Sequence, residues 1–496
     1  MKEKIIKFGS ILLAASLLFC CLAGCKKKGK GDEEDESKTV STTDSPYRDG
    51  LPQDLDYGKA EVNIVSREFD WYFGEITVAS EDSSDNVSSA VFERQHNVEG
   101  RLNIQLQNHK IAGSGKEGYT VVVEALQRDQ MSGDKMYDIA VNNMYHTMAK
   151  ATEGMFYKMN DVPHVDLSRP YYSQNFNDKA TVGDSLYAVT GDASLSFIKF
   201  AFATFFNKQM VADHHVDDLY TTVLNGNWTF EYQLSLIKDL YTDNNANSKK
   251  DEADTFGFVT NPVLGVDPYW SAFDLSIVGK SEEHVLEPQI SVSKITNALE
   301  KINRIFWQED GTLVLKHQEN DGEMKDQAKM FAENRAMFTT LRLDLCEDPT
   351  LRDMKSEYGI IPMPKYDADQ EQYYSYCHDL FSVFCISSSV SADRIGMVGA
   401  TLECFFSESL KCRQELFEVA LKVKYQSDST VSQMLDIVVD HMKIDTGWIY
   451  SAALSDFALC LRTMVQMENS RYSSYYGMNK GLLKTNVDKL VANMSK

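Results

Sequence analysis

The sequence predicts an α/β protein. Short alternating apolar stretches recur, "EVNIV" at 61–65, "LNIQLQ" at 102–107 and "YDIAV" at 137–141, and helical patterns lie between them at 87–99 and 119–131. Strand, helix, strand in this rhythm calls for parallel strands joined by crossover helices. Residues 59–496 are long enough for two lobes, each burying its own core.

Each element has a local reason. In "LNIQLQ", Leu102, Ile104 and Leu106 fall on one face because successive strand side chains alternate. In "NWTFEYQLSLIKDLY", Thr229 is placed to cap a helix whose apolar face is Phe230, Leu234, Ile237 and Tyr241. From about residue 395 the pattern is mainly helical, with "LFEVALKVKY" and "TVSQMLDIVVDHM" repeating apolar residues three or four apart. No internal repeat accompanies them.

The amino terminus is of a different kind. Lys2, Lys4 and Lys7 precede an apolar run from Ile11 to Leu22 that ends on Ala23 and Gly24, the pattern of a secretory signal. The run is shorter than the roughly 20 residues of a membrane span. Leu22-Ala23-Gly24-Cys25 resembles the lipobox of bacterial lipoproteins, which implies that Cys25 is lipidated and becomes the first mature residue. Lys26, Lys27, Lys28 and Lys30 suit an anionic membrane surface. Residues 31–58 are acidic, rich in Ser and Thr and nearly free of large aliphatics, so they cannot offset the entropy of ordering and read as a tether.

Charge and cysteines exclude other classes. The chain carries −23, and loss of residues 1–24 removes three Lys and one Glu, leaving −25. Such a balance repels nucleic acid, whose binding depends on neutralising phosphates. Beyond Cys20, Cys21 and Cys25, the cysteines are Cys346, Cys377, Cys385, Cys404, Cys412 and Cys460, without a CxxC pair and in apolar surroundings. Buried free thiols are expected, not a metal centre or disulfide framework.

Several stretches in order resemble the extracellular solute-binding proteins of ABC importers, in the maltose-binding-protein-like branch and its Gram-positive long form. They are "FFNKQMVADHHVDDLYTTVLNGNWTFEYQLSLIKDL" (205–240), "MKDQAKMFAENRAMFTTL" (324–341) with "YGIIPMPKYD" (358–367), "CHDLFSVFCISSSVSADRIGMVGATLECF" (377–405), and the closing "ALKVKYQSDSTVSQMLDIVVDHMKIDTGWIY". The resemblance implies a two-lobed periplasmic-binding-protein type II-like clamshell with hinge crossovers and C-terminal helices. Behind a signal at 1–24 and a lipidated tether at 25–58, lobe one would be 59–197 plus 361–408, and lobe two 198–360 plus 409–496. It also implies a monomeric, non-catalytic receptor on the outer face of the membrane, binding a carbohydrate between its lobes and passing it to an ABC permease.

Sugars need flat aromatic faces and hydroxyl partners at the carboxyl ends of strands. In lobe one the candidates are Arg67, Trp71 and Tyr72 after the first strand, Asn142 and Asn143 after "YDIAV", Tyr172 in "RPYYSQN" and Asp192 in "AVTGDAS". One of the two asparagines is expected to cap the next helix. In lobe two they are Tyr269 and Trp270 in "GVDPYWSAF" and Arg342 in "FTTLRLDL". Trp228 and Trp307 read as core, Trp448 as either core or site, and Tyr376 and His378 as weaker candidates.

In "DNNANSKKDEAD", Asp243, Asn245, Asn247 and Asp254 fall at positions 1, 3, 5 and 12 of an EF-hand-like loop, making a structural calcium an expectation, although no cofactor is required. Ser248 stands where such loops place glycine, Asp254 where they place Glu, and Lys249 and Lys250 add positive charge. "GSGKEGY" (113–119) fails as a phosphate-binding loop, because Glu117 replaces the hydroxyl residue after Lys116. Two rival readings remain: a glycan hydrolase, for which no catalytic signature is recognisable, and a ligand-presenting sensor lipoprotein.

Overall fold

The computed structural model describes residues 45–68, 74–78, 85–113, 116–281, 285–315, 322–421 and 429–495. Cys25, Trp71 and Tyr72 lie outside the described residues. The strands are β1 Ala60–Glu68, β2 Ile104–Ala112, β3 Ile139–Asn143, β4 Phe202–Asn207, β5 Tyr241–Thr242, β6 Thr255–Thr260, β7 Val278–Lys280, β8 Leu286–Pro288, β9 Thr312–Val314, β10 Ala336–Arg342, β11 Tyr358–Ile361 and β12 Ser382–Ile386.

The first sheet has the order β12-β3-β1-β2. β1 is parallel to β2 and β3, and β12 is antiparallel to β3. The helices Asn86–Leu102 and Val121–Ser132 supply the crossovers. Asp85 starts the first by accepting from Ser88 N at 2.8 Å, and Asn103 ends it in the left-handed region at φ 50°. Gly133 ends the second at φ 78°, a conformation that a residue without Cβ adopts freely. Because β2 and β3 flank β1 in parallel, all three strands end together at the end of the sheet where open α/β sheets bind ligands.

The second sheet has the order β11-β4-β10-β6-β5, with β9 beside β6. β4 runs antiparallel to β10 and β11, while β10 and β6 are parallel. Its core is aromatic: Phe205, Phe258 and Phe338 are fully buried. Thr229 caps the helix Phe230–Ile237 as expected, its Oγ1 accepting from Tyr232 N at 3.3 Å.

Two of the passages of the chain between the halves pair. Phe202 N donates to Tyr376 O at 2.8 Å and His378 N to Phe200 O at 3.0 Å, aligning 200–202 antiparallel to 376–378. Two short connections side by side are the arrangement in which few dihedrals absorb a hinge motion.

Two boundaries differ from expectation. The return passage begins near Tyr376, not at Ile361: Pro362 and Pro364 lack the N–H needed to extend β11, yet 362–374 stay on the second half. There Lys365 N donates to Trp228 O at 3.1 Å and Gln370 Nε2 to Ala272 O at 2.9 Å. The C-terminal helices also touch both halves. Leu410–Gln414 packs on Asn86–Leu102, Ser429–Asp440 on β11, and Tyr472–Met494 on β8. Ser185 Oγ, in the first half, donates to Met494 O at 2.7 Å. No helix among the described residues is long and apolar enough to cross a membrane.

Candidate functional site

At the ends of the first sheet's strands is a cavity of about 70 Å³ whose lining includes Ser66, Arg67, Thr77, Asn108, Lys110 and Asn142. Its wall is hydrogen-bonded in series, Ser66 Oγ to Asn108 Oδ1 at 2.7 Å and Asn108 Nδ2 to Thr77 Oγ1 at 2.9 Å. Glu75 closes the floor. Its buried carboxylate accepts from Ser196 N at 2.8 Å, Ser196 Oγ at 3.2 Å and Ser382 Oγ. Burial pushes its pKa up against the opposing effect of these donors.

Beside this cavity Arg67, only 6% exposed, sets its guanidinium carbon 5.2 Å from the centre of the Tyr119 ring. Asn143 caps the helix Met144–Met148, accepting from His146 N at 2.9 Å, and its Nδ2 donates to Tyr119 O at 2.9 Å. Asn142 lines the cavity. One asparagine thus does the capping expected of the pair. Burial, assisted by Arg67, drops the His146 pKa to about 4, so the imidazole is neutral at physiological pH.

The two halves meet around a second space, about 10 Å³, whose lining includes Met144, Ser271, Tyr376, Asp379, Asp445 and Trp448. The Tyr376 and Trp448 rings have centres 5.2 Å apart, and Trp270 stands edge-on to Trp448 at 6.4 Å. Trp270 Nε1, Trp448 Nε1 and the Tyr376 hydroxyl are buried with no hydrogen-bond partner among the described residues. Orphaned buried donors are unfavourable and rare, and a ligand rich in hydroxyls is a chemistry that satisfies them.

This junction is also charged. Arg462 holds Asp267 through two bonds, Nε to Oδ1 at 3.1 Å and Nη2 to Oδ2. Burial pushes Asp379 up to about 7; Arg462 opposes the rise, and Asp267 and Asp456 add to it. The Tyr145 hydroxyl, beside β3, donates to Asp456 at 2.8 Å, joining the first sheet's edge to the C-terminal segment.

The remaining candidates scatter. Tyr269 is fully buried among Phe230, Phe273 and Phe306, and its hydroxyl, like the Trp270 indole N–H, has no hydrogen-bond partner among the described residues. Trp270 reaches the junction through its indole edge but is itself fully buried. Arg342 ends β10 with two bonds to Asp344, at 3.1 and 3.0 Å, and stacks over Phe200 beside the hinge. Tyr172, 1% exposed, donates its hydroxyl to Glu403 at 2.8 Å, and Asp192 pairs with Arg413 at 3.3 Å. Sequence reasoning missed Asp267, Asp379, Arg462 and Glu75. Asp267 and Arg462 are 195 positions apart, and only folding joins them.

The donor set of the 243–254 loop does not fit calcium. Asp254, which should chelate with both oxygens, has them engaged by Asn244 N at 3.0 Å, Asp251 N at 3.1 Å and the Tyr241 hydroxyl at 3.2 Å. Asp243 accepts from Ser248 N at 2.8 Å and Asn247 N at 3.3 Å, while Asn245 and Asn247 direct their amide nitrogens at Asp251. Among the described residues no three His, Cys, Asp or Glu side chains form a metal-holding group. All six cysteines from Cys346 to Cys460 are buried.

Two mixed sheets, a doubled crossing and a C-terminal helical clasp define the periplasmic-binding-protein type II-like fold. The chain shares it with ABC substrate-binding proteins. One is Lmo0181 from Listeria monocytogenes in complex with cycloalternan, 11% identical, with 88% of this chain and 99% of that one covered at TM-score 0.51. Another is the maltose/maltodextrin-binding domain MalE from Bdellovibrio bacteriovorus bound to maltotriose, at 13% identity, 87% and 100% coverage and TM-score 0.52. A third is the galacto-N-biose-/lacto-N-biose I-binding protein from Bifidobacterium longum in complex with lacto-N-biose, at 10%, 89% and 98%, and 0.51. At these identities the likeness is one of fold. No protein-family model and no curated protein matches the sequence.

Proposed function

We propose that the protein is a solute receptor that binds a carbohydrate, an oligosaccharide, between its two halves and delivers it to an ABC permease. One observation carries the reading: the orphaned donors of Trp270, Trp448 and Tyr376 gather where the halves meet, in a fold shared with proteins solved in complex with sugars. The strand-end cavity with Arg67 and Asn142 supplies further hydroxyl partners across the junction. Lipid on Cys25 holds the receptor to the outer face of the membrane, and the acidic tether keeps the body clear of it.

A ligand that binds only the folded state stabilises it by about 2.7 kcal/mol at a hundredfold excess over Kd. The test is a thermal-shift screen against mono- and oligosaccharides. A rise in Tm with an oligosaccharide that is recovered intact supports the reading. Turnover of the sugar, or no shift across the panel, overturns it. For the anchor, Cys25→Ser is expected to release the protein from the cell surface into the medium.

A further inference from the structure

Tyr172 and Asp192 line a third cavity, about 140 Å³, which shares no lining residue with the junction. The geometry points to a second binding site here, at the hinge, for a single neutral sugar ring held through a vicinal diol by Asp192 and Arg413.

The cavity straddles the passages between the halves. Pro170 to Ser173, Gly191 and Asp192 come from the first half, and Phe197 and Ile198 lead into the first passage. Met442 follows the helix Ser429–Asp440, which packs on β11, and it bridges to Ser375 at the start of the return passage. The walls are held in place before any ligand arrives. The Tyr171 and Tyr172 hydroxyls both donate to Glu403, which fixes their rings. Asp192 N donates to Tyr171 O at 3.0 Å, and a Cβ at Gly191 would overlap that same carbonyl oxygen, so only glycine lets the turn close and seat Asp192.

The polar chemistry is a pair with one free valence. Asp192 Oδ1 lies 3.3 Å from Arg413 Nε, and Oδ2 is buried with no hydrogen-bond partner among the described residues. The Arg413 side chain remains 31% exposed. A hydroxyl donating to Oδ2 and its neighbour accepting from the guanidinium complete both groups, and Phe197 lines the cavity beside them. Asp192 and Asp440 disfavour an anion, and Arg413 disfavours an ammonium ion. At about 140 Å³ the cavity has room for a ring without any parting of the halves, which the junction, at about 10 Å³, needs before it can admit a sugar.

The test uses the full mature chain with D-glucose, D-galactose and D-mannose as probes, followed by saturation-transfer NMR and titration. At least one monosaccharide is expected to bind in the millimolar range. Asp192→Asn, which replaces the acceptor by a donor, and Met442→Trp, which fills the cavity, should each weaken it tenfold or more, with Trp448→Phe changing it less than twofold. Met442→Trp decides the matter if Asp192→Asn does not fold. Absence of monosaccharide binding overturns the inference, as does binding lost in Trp448→Phe but kept in both cavity variants. An oligosaccharide screen that fails at the junction leaves these expectations in force, so the two proposals fail separately.

Discussion

Lys199 Nζ lies 2.8 Å from Glu347 Oε2. Lys199 is the last residue before the first passage, and Glu347 follows β10 in the second sheet, so the pair spans the hinge. Lys199 is 7% exposed at the side chain and Glu347 33%, a setting in which an ion pair is worth more than at an open surface.

Lys199→Met and Glu347→Gln are each expected to lower unfolding stability by about 1–2 kcal/mol, with a coupling of about 1 kcal/mol in the double-mutant cycle. Denaturant titration of the four proteins checks it. Strictly additive losses would show that the pair carries no energy.

Trp270 separates packing from recognition. It is fully buried, so Trp270→Ala should cost about 3–5 kcal/mol through the cavity it leaves. Trp270→Phe keeps much of the volume and deletes an N–H that has no partner among the described residues, so its loss of stability should be below about 1.5 kcal/mol. If the indole serves ligand, Trp270→Phe weakens the best sugar from the screen several-fold while Tm without sugar barely moves. Unchanged affinity removes Trp270 from the site.

Asp379 makes a pH prediction with a definite sign. Its folded pKa, about 7, lies above that of an ordinary carboxyl, so between pH 4 and 7 the folded state binds more protons than the unfolded chain. Stability from this group is therefore greatest in mild acid and falls as pH rises through 7. Arg462, Asp267, Asp456, His378 and Tyr376 surround it. His146, with its pKa depressed to about 4, acts in the opposite direction below pH 6.5. Asp379→Asn isolates the term: its stability relative to wild type should increase from pH 5 to pH 8, measured by denaturation at each pH, and a pH-independent difference would refute it.

The 243–254 loop is expected to ignore calcium. Its carboxylates are already engaged by backbone N–H groups, a phenol and side-chain amides, so a chelator and millimolar Ca²⁺ should leave Tm within a degree of each other. A rise of several degrees on adding Ca²⁺ would mean that the loop rearranges to bind it.

Patterns repeating over two to four residues were legible in the chain. β1, β2, β3 and the helix Phe230–Ile237 with its Thr229 cap lie within a few residues of where alternation and capping put them. The helix cap at Asn143 was legible because strand ends in an α/β sheet are predictable places for one. The packing of Tyr269 was not legible, because Phe230 and Phe306 come from distant parts of the chain and, with Phe273, surround it only after folding. The return passage was expected too early because "IIPMPKY" ends a strand without ending the contacts of the chain that follows.

The sequence by itself determined the α/β class and the burial of six cysteines, since each follows from local composition and periodicity. Only the tertiary structure decided which candidates meet. It sent Arg67 and Asn142 to one cavity, Trp270 and Trp448 to the junction, and Tyr172 and Asp192 to the hinge. Contacts between residues far apart in the chain depend on how two cores pack and where the passages cross, and a pattern confined to neighbouring residues contains no record of either.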